Sequence, residues 1–398
     1  MIKKKPLNIA VIGGGIGGLT ATLALQQAGL HAELYEQAPQ FSEVGAGIGL
    51  GPNAVRILQR LGLGKQLDAI RAPVTGFVFR HWNDGKLIND QQQNAENEYI
   101  GGWPVHRAEL ITILYEAIPH ERLHTGKHCQ SLTQDTEHVY ITFEDGTQVT
   151  ADAVVGADGI HSVVRNTYHT DQPIFSNQIA YRGLVPMKRL TFLGDEAHKF
   201  TMWMGPQRHF LIYPVSRGTV MNVVAFVPPE GNWRVESWAA HGEVKDLAKE
   251  FDTWDPHVQK IIQAMDNTMR WALYDRDPLD FWTQGRVTLL GDAAHAMLPH
   301  QGQGAGQSIE DALILAYSLR EADTETVSAW LQFYEALRKP RTTRVQETTR
   351  SAGKLYDLPD SEIYRRGESF SFSNRSTWLW NYDADQAFKQ AMHTIAHP

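Results

Sequence analysis

Gly13-x-Gly15-x-x-Gly18 follows directly on residues 7–12 (LNIAVI), a short apolar run rich in β-branched residues. Residues 19–28 after it have helical character, and residues 31–35 read as a second strand. With 33 glycines in 398 residues the spacing alone is weak, and its setting gives it meaning. Strand, glycine turn, helix and strand make a βαβ unit of roughly 30 residues, the size of one crossover. In such a unit the first glycine permits the tight turn and the second lets backbone N–H groups approach a pyrophosphate. The third lets helix and strand pack closely. Glu36 ends the second strand 18 residues after Gly18, where a carboxylate can accept hydrogen bonds from a ribose.

The rest of the chain bounds what can surround this unit. An apolar fraction of 42% allows a real core. A net charge of −8, from 37 basic and 45 acidic residues, with no basic block beyond Lys3 to Lys5, gives no support to a nucleic-acid or anionic-membrane surface. Cys129 stands alone, so no internal disulfide, Cys-x-x-Cys centre or multi-thiolate metal site is possible, and a reducing cytoplasm fits best. No stretch reaches the roughly 18 to 20 apolar residues that span a bilayer, and the glycines at 13–18 break the early apolar run that would otherwise resemble a signal peptide. The 17 histidines show no metal-binding spacing with carboxylates, and no metal is expected.

The texture divides the chain further. Residues 139–143 and 148–150 read as a hairpin through Glu144-Asp145-Gly146, followed by a buried strand at 153–156 (AVVG). From about residue 175 to 282, strand-like runs such as 210–215 and 220–227 lie between Pro/Gly-rich turns, which predicts an antiparallel sheet. Residues 286–291 return to a buried-strand pattern, and a helix is expected over 308–320. The expected fold class is α/β: a Rossmann-like nucleotide-binding domain discontinuous in sequence (1–174 and 285–355), an inserted antiparallel-sheet substrate domain (175–284) and a C-terminal helical segment (356–398).

Three later segments point to FAD rather than NAD. They are Arg107 at the start of a helix, Asp158 in a Gly-rich turn after a strand, and Asp292 directly after another strand. One pyrophosphate and one ribose do not need so many separate contacts, whereas a long extended ligand does. Only one fingerprint opens a helix after a strand, since the second glycine cluster, Gly45 to Gly51, leads into Pro52-Asn53. NADH or NADPH is therefore expected to bind transiently, reduce the flavin and leave.

With a dinucleotide fingerprint, an Asp-Gly motif and a Gly-Asp motif in this order, the sequence resembles the single-component (class A) flavoprotein aromatic hydroxylases from residue 7 to about 385. The resemblance implies that Glu36 holds the adenosine ribose, Arg107 contacts the flavin, Asp292 binds the ribityl and pyrophosphate region, and Asp158 supports both FAD and the passing nicotinamide. It also implies a flavin C4a-hydroperoxide that hydroxylates an electron-rich ring with O2 as oxidant. The Pro299-His300-Gln301-Gly302 loop, Ala180-Tyr181-Arg182-Gly183, Tyr213-Pro214-Val215 and Leu379-Trp380-Asn381-Tyr382-Asp383 look most like the salicylate 1-monooxygenase branch, which converts salicylate to catechol with loss of CO2. Hydroxylation of another hydroxybenzoate or of a hydroxypyridine carboxylate is the alternative within the family, and a flavin-binding redox sensor without turnover is the alternative outside it.

Around the substrate, the glycine-rich loop lets backbone N–H groups approach the flavin ring, with Gly304 and Ala305 assigned to the cofactor and Gly302 to the substrate. His300 is expected to hydrogen-bond the substrate with a pKa near working pH, and His209 to reach the phenol from a strand end that could equally be solvent-exposed. Arg182 is a candidate partner for a substrate carboxylate, a salt bridge within the second domain being the competing reading. His295 is read as packing of the flavin loop. The sequence leaves monomer and homodimer equally open.

Overall fold

The computed structural model describes residues 6–41, 46–92, 102–231, 233–235, 240–362 and 377–396. The Lys3 to Lys5 run and Gly45, the first residue of the second glycine cluster, lie outside them.

A five-stranded parallel sheet runs in the order Val287–Leu289, Ala153–Gly156, Asn8–Ile12, His31–Tyr35, Leu123–His124. Ile9 to Ile12 are all buried, with the helix Ile16–Gln27 packed on these strands and in turn against the helix Gly304–Glu321. Helices covering a parallel sheet explain its continuous apolar runs in place of alternation. The first helix starts at Ile16, three residues earlier than its pattern suggests, so Gly17 and Gly18 belong to it. Within the fingerprint, Gly13 and Gly18 meet backbone too closely for a side chain. Gly13 has φ +106°, and a Cβ there would meet the Ala157 carbonyl oxygen at 2.4 Å; a Cβ on Gly18 would lie 1.9 Å from the Gly13 carbonyl oxygen. The expected hairpin is present and gains a third strand, in the order Gln148–Ala151, Val139–Phe143, Cys129–Gln134.

An eight-stranded sheet forms the second layer, antiparallel except where Lys199–Gly205 runs parallel to Gly76–His81. It reaches beyond residues 175–284, because its last two strands, Gly76–His81 and Leu87–Gln92, come from the first segment of the chain. Side-chain alternation gives this sheet two apolar faces. Phe210, Ile212, Val223 and Ala225 pack with Leu247, Val258 and Ile261 of the helices Val244–Glu250 and Pro256–Gln263 and with Phe251 between them. Phe200, Met202, Tyr213, Val224, Phe226 and Trp271 point the other way.

The helix over 308–320 in fact starts at Gly304. It is followed by Val327–Tyr356, which runs through Pro340. Within the C-terminal segment, Thr377–Trp380 and Ala384–Ala396 are helical. Arg56 donates to the Trp380 and Tyr382 carbonyls at 2.9 and 2.7 Å, and Arg341 to those of Trp378 and Leu379 at 3.2 and 2.8 Å. These bonds draw the tail onto the body. No helix among the described residues is long and apolar enough to cross a membrane, and no group of three His, Cys, Asp or Glu among them could hold a metal.

Candidate active site

A cavity of about 700 Å³ lies between the parallel-sheet unit and the inner face of the eight-stranded sheet. Its first end is the fingerprint turn. Gly15 caps the first helix without a side-chain bond, and a Cβ placed there meets nothing within 4 Å, so the helix N-terminus opens onto free space. Helix N-termini carry unsatisfied N–H groups and partial positive charge, which suits a pyrophosphate. The helix beginning at Gly304 presents a second such terminus, with Gly302, Gly304 and Ala305 in the cavity wall. Arg107 and Asp292 also line the cavity. A long dinucleotide such as FAD fits this combination: an open glycine cradle, two helix N-termini, the Arg107 cation and the Asp292 acid along a single cavity.

Two of the expected cofactor residues do not line this cavity. Glu36 accepts from the Gly14 N–H at 2.5 Å and the Ala38 N–H at 2.7 Å, bracing the fingerprint turn. Asp158 is half-buried and accepts from Ser162 Oγ at 2.5 Å and Val164 N at 3.2 Å, while its neighbours Ala157, Gly159 and Ile160 line the cavity. Burial raises the Asp158 pKa in spite of those donors. Its carboxylate thus holds the turn that shapes the wall. His295 packs as expected, bonded through Nε2 to Asp311 at 2.6 Å.

The substrate end is lined by Phe200, Met202, Tyr213, Phe226 and Trp271, residues whose apolar character gave no individual signal in the sequence. Arg182 lies here, partly buried, its guanidinium 4.7 Å over the Trp271 ring. Burial lowers its pKa, Tyr213 opposes that and Arg107 adds to it, yet a guanidinium stays protonated in proteins. The Tyr213 hydroxyl is pushed by burial up to about 12, so it remains a donor. Trp378, Leu379 and Trp380 close the wall from the C-terminal tail.

His300 is buried in the cavity wall beside Gly353. The expectation of a pKa near working pH fails. Burial first, and the neighbouring His209 second, hold it well below 6.5, so the imidazole is neutral at pH 7. His209 is not at an exposed strand end. It lies within the strand Arg208–Val215, is fully buried, and shares the inner face with Leu211 and Tyr213 by alternation. Its ring stacks on Phe226 at 4.1 Å and stands 5.3 Å from the His300 ring, behind these two wall residues. Its Nδ1 lies 2.7 Å from Asp357 Oδ1, a partner that the irregular sequence after residue 352 did not reveal.

The family described as "FAD binding domain" matches residues 7–349. The 3-amino-4-hydroxybenzoate 2-monooxygenase of Streptomyces platensis is 40% identical over 385 residues, covering 95% of this chain and 96% of its own. Salicylate hydroxylase of Pseudomonas putida is 34% identical over 419 residues, covering 98% and 95%. Among solved structures, a salicylate hydroxylase substrate complex superposes with a TM-score of 0.85 at 32% identity, covering 97% of this chain and 98% of the other.

Proposed function

This chain belongs to the class A FAD-dependent aromatic hydroxylases, and from that premise we propose that it hydroxylates a monocyclic hydroxybenzoate with NAD(P)H and O2, salicylate being the first reading and catechol and CO2 its products. The observation that carries the substrate class is the Arg182 guanidinium in an aromatic-walled cavity that also holds Tyr213 and neutral His300. A planar guanidinium can bind a carboxylate bidentately.

Bound FAD supplies the electron transfer and oxygen activation. The chain's own residues do the rest. Gly15, Arg107, Asp292 and the Gly304 helix terminus hold the cofactor, and Arg182 orients the ring by its carboxylate. His300 accepts the phenol proton, which makes the ring nucleophilic. The apolar walls and Trp378 to Trp380 exclude water from the reacting centre.

A second reading, hydroxylation of a 3-amino-4-hydroxybenzoate with the carboxylate retained, is favoured by the 40% identical relative. An NADH-oxidation screen over hydroxybenzoates with product analysis separates them. CO2 released in step with NADH consumption supports the first, a carboxylate-retaining product the second. Bound flavin that no aromatic acid helps NADH to reduce sinks both in favour of a redox sensor.

A further inference from the structure

The contact between His209 Nδ1 and the Asp357 carboxylate has a consequence for the other face of the ring. A carboxylate only accepts, so the 2.7 Å bond keeps the proton on Nδ1 and leaves Nε2 as an acceptor. That Nε2 is buried with no hydrogen-bond partner, and His300 Nδ1 is in the same condition. The two rings lie 5.3 Å apart between centroids, inclined by 59°. The two nitrogens do not bond each other in this structure, and a turn of the rings at this separation closes the link at a donor–acceptor distance of roughly 3 Å. Buried orphan nitrogens are rare in native proteins, and here one is an acceptor and the other can carry the complementary N–H.

The outer end of the series is held and wet. Asp357 Oδ2 accepts from Gln178 Nε2 at 2.6 Å, and its main-chain carbonyl accepts from the Gln207 N–H at 3.0 Å. Its side chain is 17% exposed, against 1% for His209. Besides Asp357, the titratable groups facing the His209 ring are His300 and Tyr356, the latter 5.3 Å away. The arrangement therefore leads from the cavity wall at His300, through a buried ring, to a carboxylate at the surface.

We propose that His209 and Asp357 form a proton exit behind His300, carrying the substrate's phenol proton from the cavity to solvent. The proposal rests on the hydroxybenzoate reading above. The phenol O–H bond breaks and its proton passes to His300 Nε2, while the proton on His300 Nδ1 moves to His209 Nε2. The proton on His209 Nδ1 moves to Asp357, from which water takes it. No electrons are exchanged, and the substrate is left as a phenolate. His300 is the catalytic residue, and His209 and Asp357 act through it.

The test compares Asp357→Asn and Asp357→Glu with wild type as FAD-loaded full chains, using the hydroxybenzoate that most stimulates wild-type NADH oxidation. Asp357→Asn keeps the shape and removes the proton acceptor. It should retain flavin and KM within about threefold, lose roughly tenfold or more in kcat, and show a larger solvent deuterium isotope effect. Asp357→Glu should recover most of kcat. In ¹⁵N-histidine spectra of the wild type, which need no variant and no turnover, His209 should carry its proton on Nδ1. The relay is overturned if Asp357→Asn matches wild-type kcat and isotope effect within twofold, or if His209 is protonated on Nε2 alone. A wild type that turns over no phenol overturns the hydroxybenzoate reading instead, a result distinct from wild-type turnover that Asp357→Asn leaves intact.

Discussion

His300 packs so closely on Gly353 that a Cβ at that glycine would stand 2.6 Å from both Cδ2 and Nε2 of the imidazole. The helix Val327–Tyr356 thus sets the position of the proposed base without touching substrate. Gly353→Ala should bind FAD normally, since it lies away from the cofactor cradle, and displace the imidazole. The expected result is a fall in hydroxylation of roughly tenfold or more, with NADH consumption diverted to H2O2. Normal coupling in this variant would show that the ring can move without cost.

The fingerprint glycines should separate into structural and ligand-facing positions. Gly18→Ala places a Cβ 1.9 Å from the Gly13 carbonyl oxygen and should yield little folded protein. Gly15→Ala meets nothing within 4 Å, so the apoprotein should melt close to wild type while flavin occupancy falls. Thermal melting and flavin absorbance read the two effects.

Arg182 carries the substrate class. Arg182→Gln should keep the yellow flavin and raise KM for a carboxylate-bearing substrate by about tenfold to a hundredfold. A lost charge-assisted bond is worth about 1.5–3 kcal/mol. Unchanged KM would remove the carboxylate anchor from the proposed function.

A buried ion network should govern acid stability. Arg338 Nη1 lies 2.7 Å from Glu310 Oε2, and its Nε lies 2.7 Å from Asp311 Oδ1, all fully buried. Burial raises both carboxyl pKa values. Arg338 and Arg341 for Glu310, and His295 and Arg338 for Asp311, more than offset this, and both end below their ordinary values of 4.5 and 3.8. With folded values depressed, their stabilisation is complete above about pH 4.5 and is lost as pH falls through the folded pKa values. Arg338→Met removes the cation shared by two buried carboxylates, leaving Glu310 with Arg341 and Asp311 with His295, and should cost about 3 kcal/mol at neutral pH. Denaturant unfolding at several pH values checks both statements.

The tail latch is testable at Arg56, whose bonds to the Trp380 and Tyr382 carbonyls hold part of the cavity wall. Arg56→Ala should loosen that wall and raise the uncoupled fraction of NADH oxidation without lowering overall stability greatly. Peroxide yield per NADH is the measurement.

The sequence by itself determined the features that are local in the chain. A strand, a glycine turn and a helix announce a nucleotide cradle because backbone geometry restricts which residues can occupy it, and Arg107, Asp292 and the 296–307 loop follow from their places beside such elements. The antiparallel character of the second layer was also legible, from runs between turns. Only the tertiary structure decided what depends on contacts distant in sequence. His209 meets Asp357 across 148 positions, Arg182 meets Trp271 from another strand, and Gly76–Gln92 joins a sheet made mostly of later residues. Burial decided the protonation of His300, and burial is a property of the packed molecule. No local pattern encodes how many neighbours will exclude water from a given imidazole, so the sequence could name the histidine without fixing its charge.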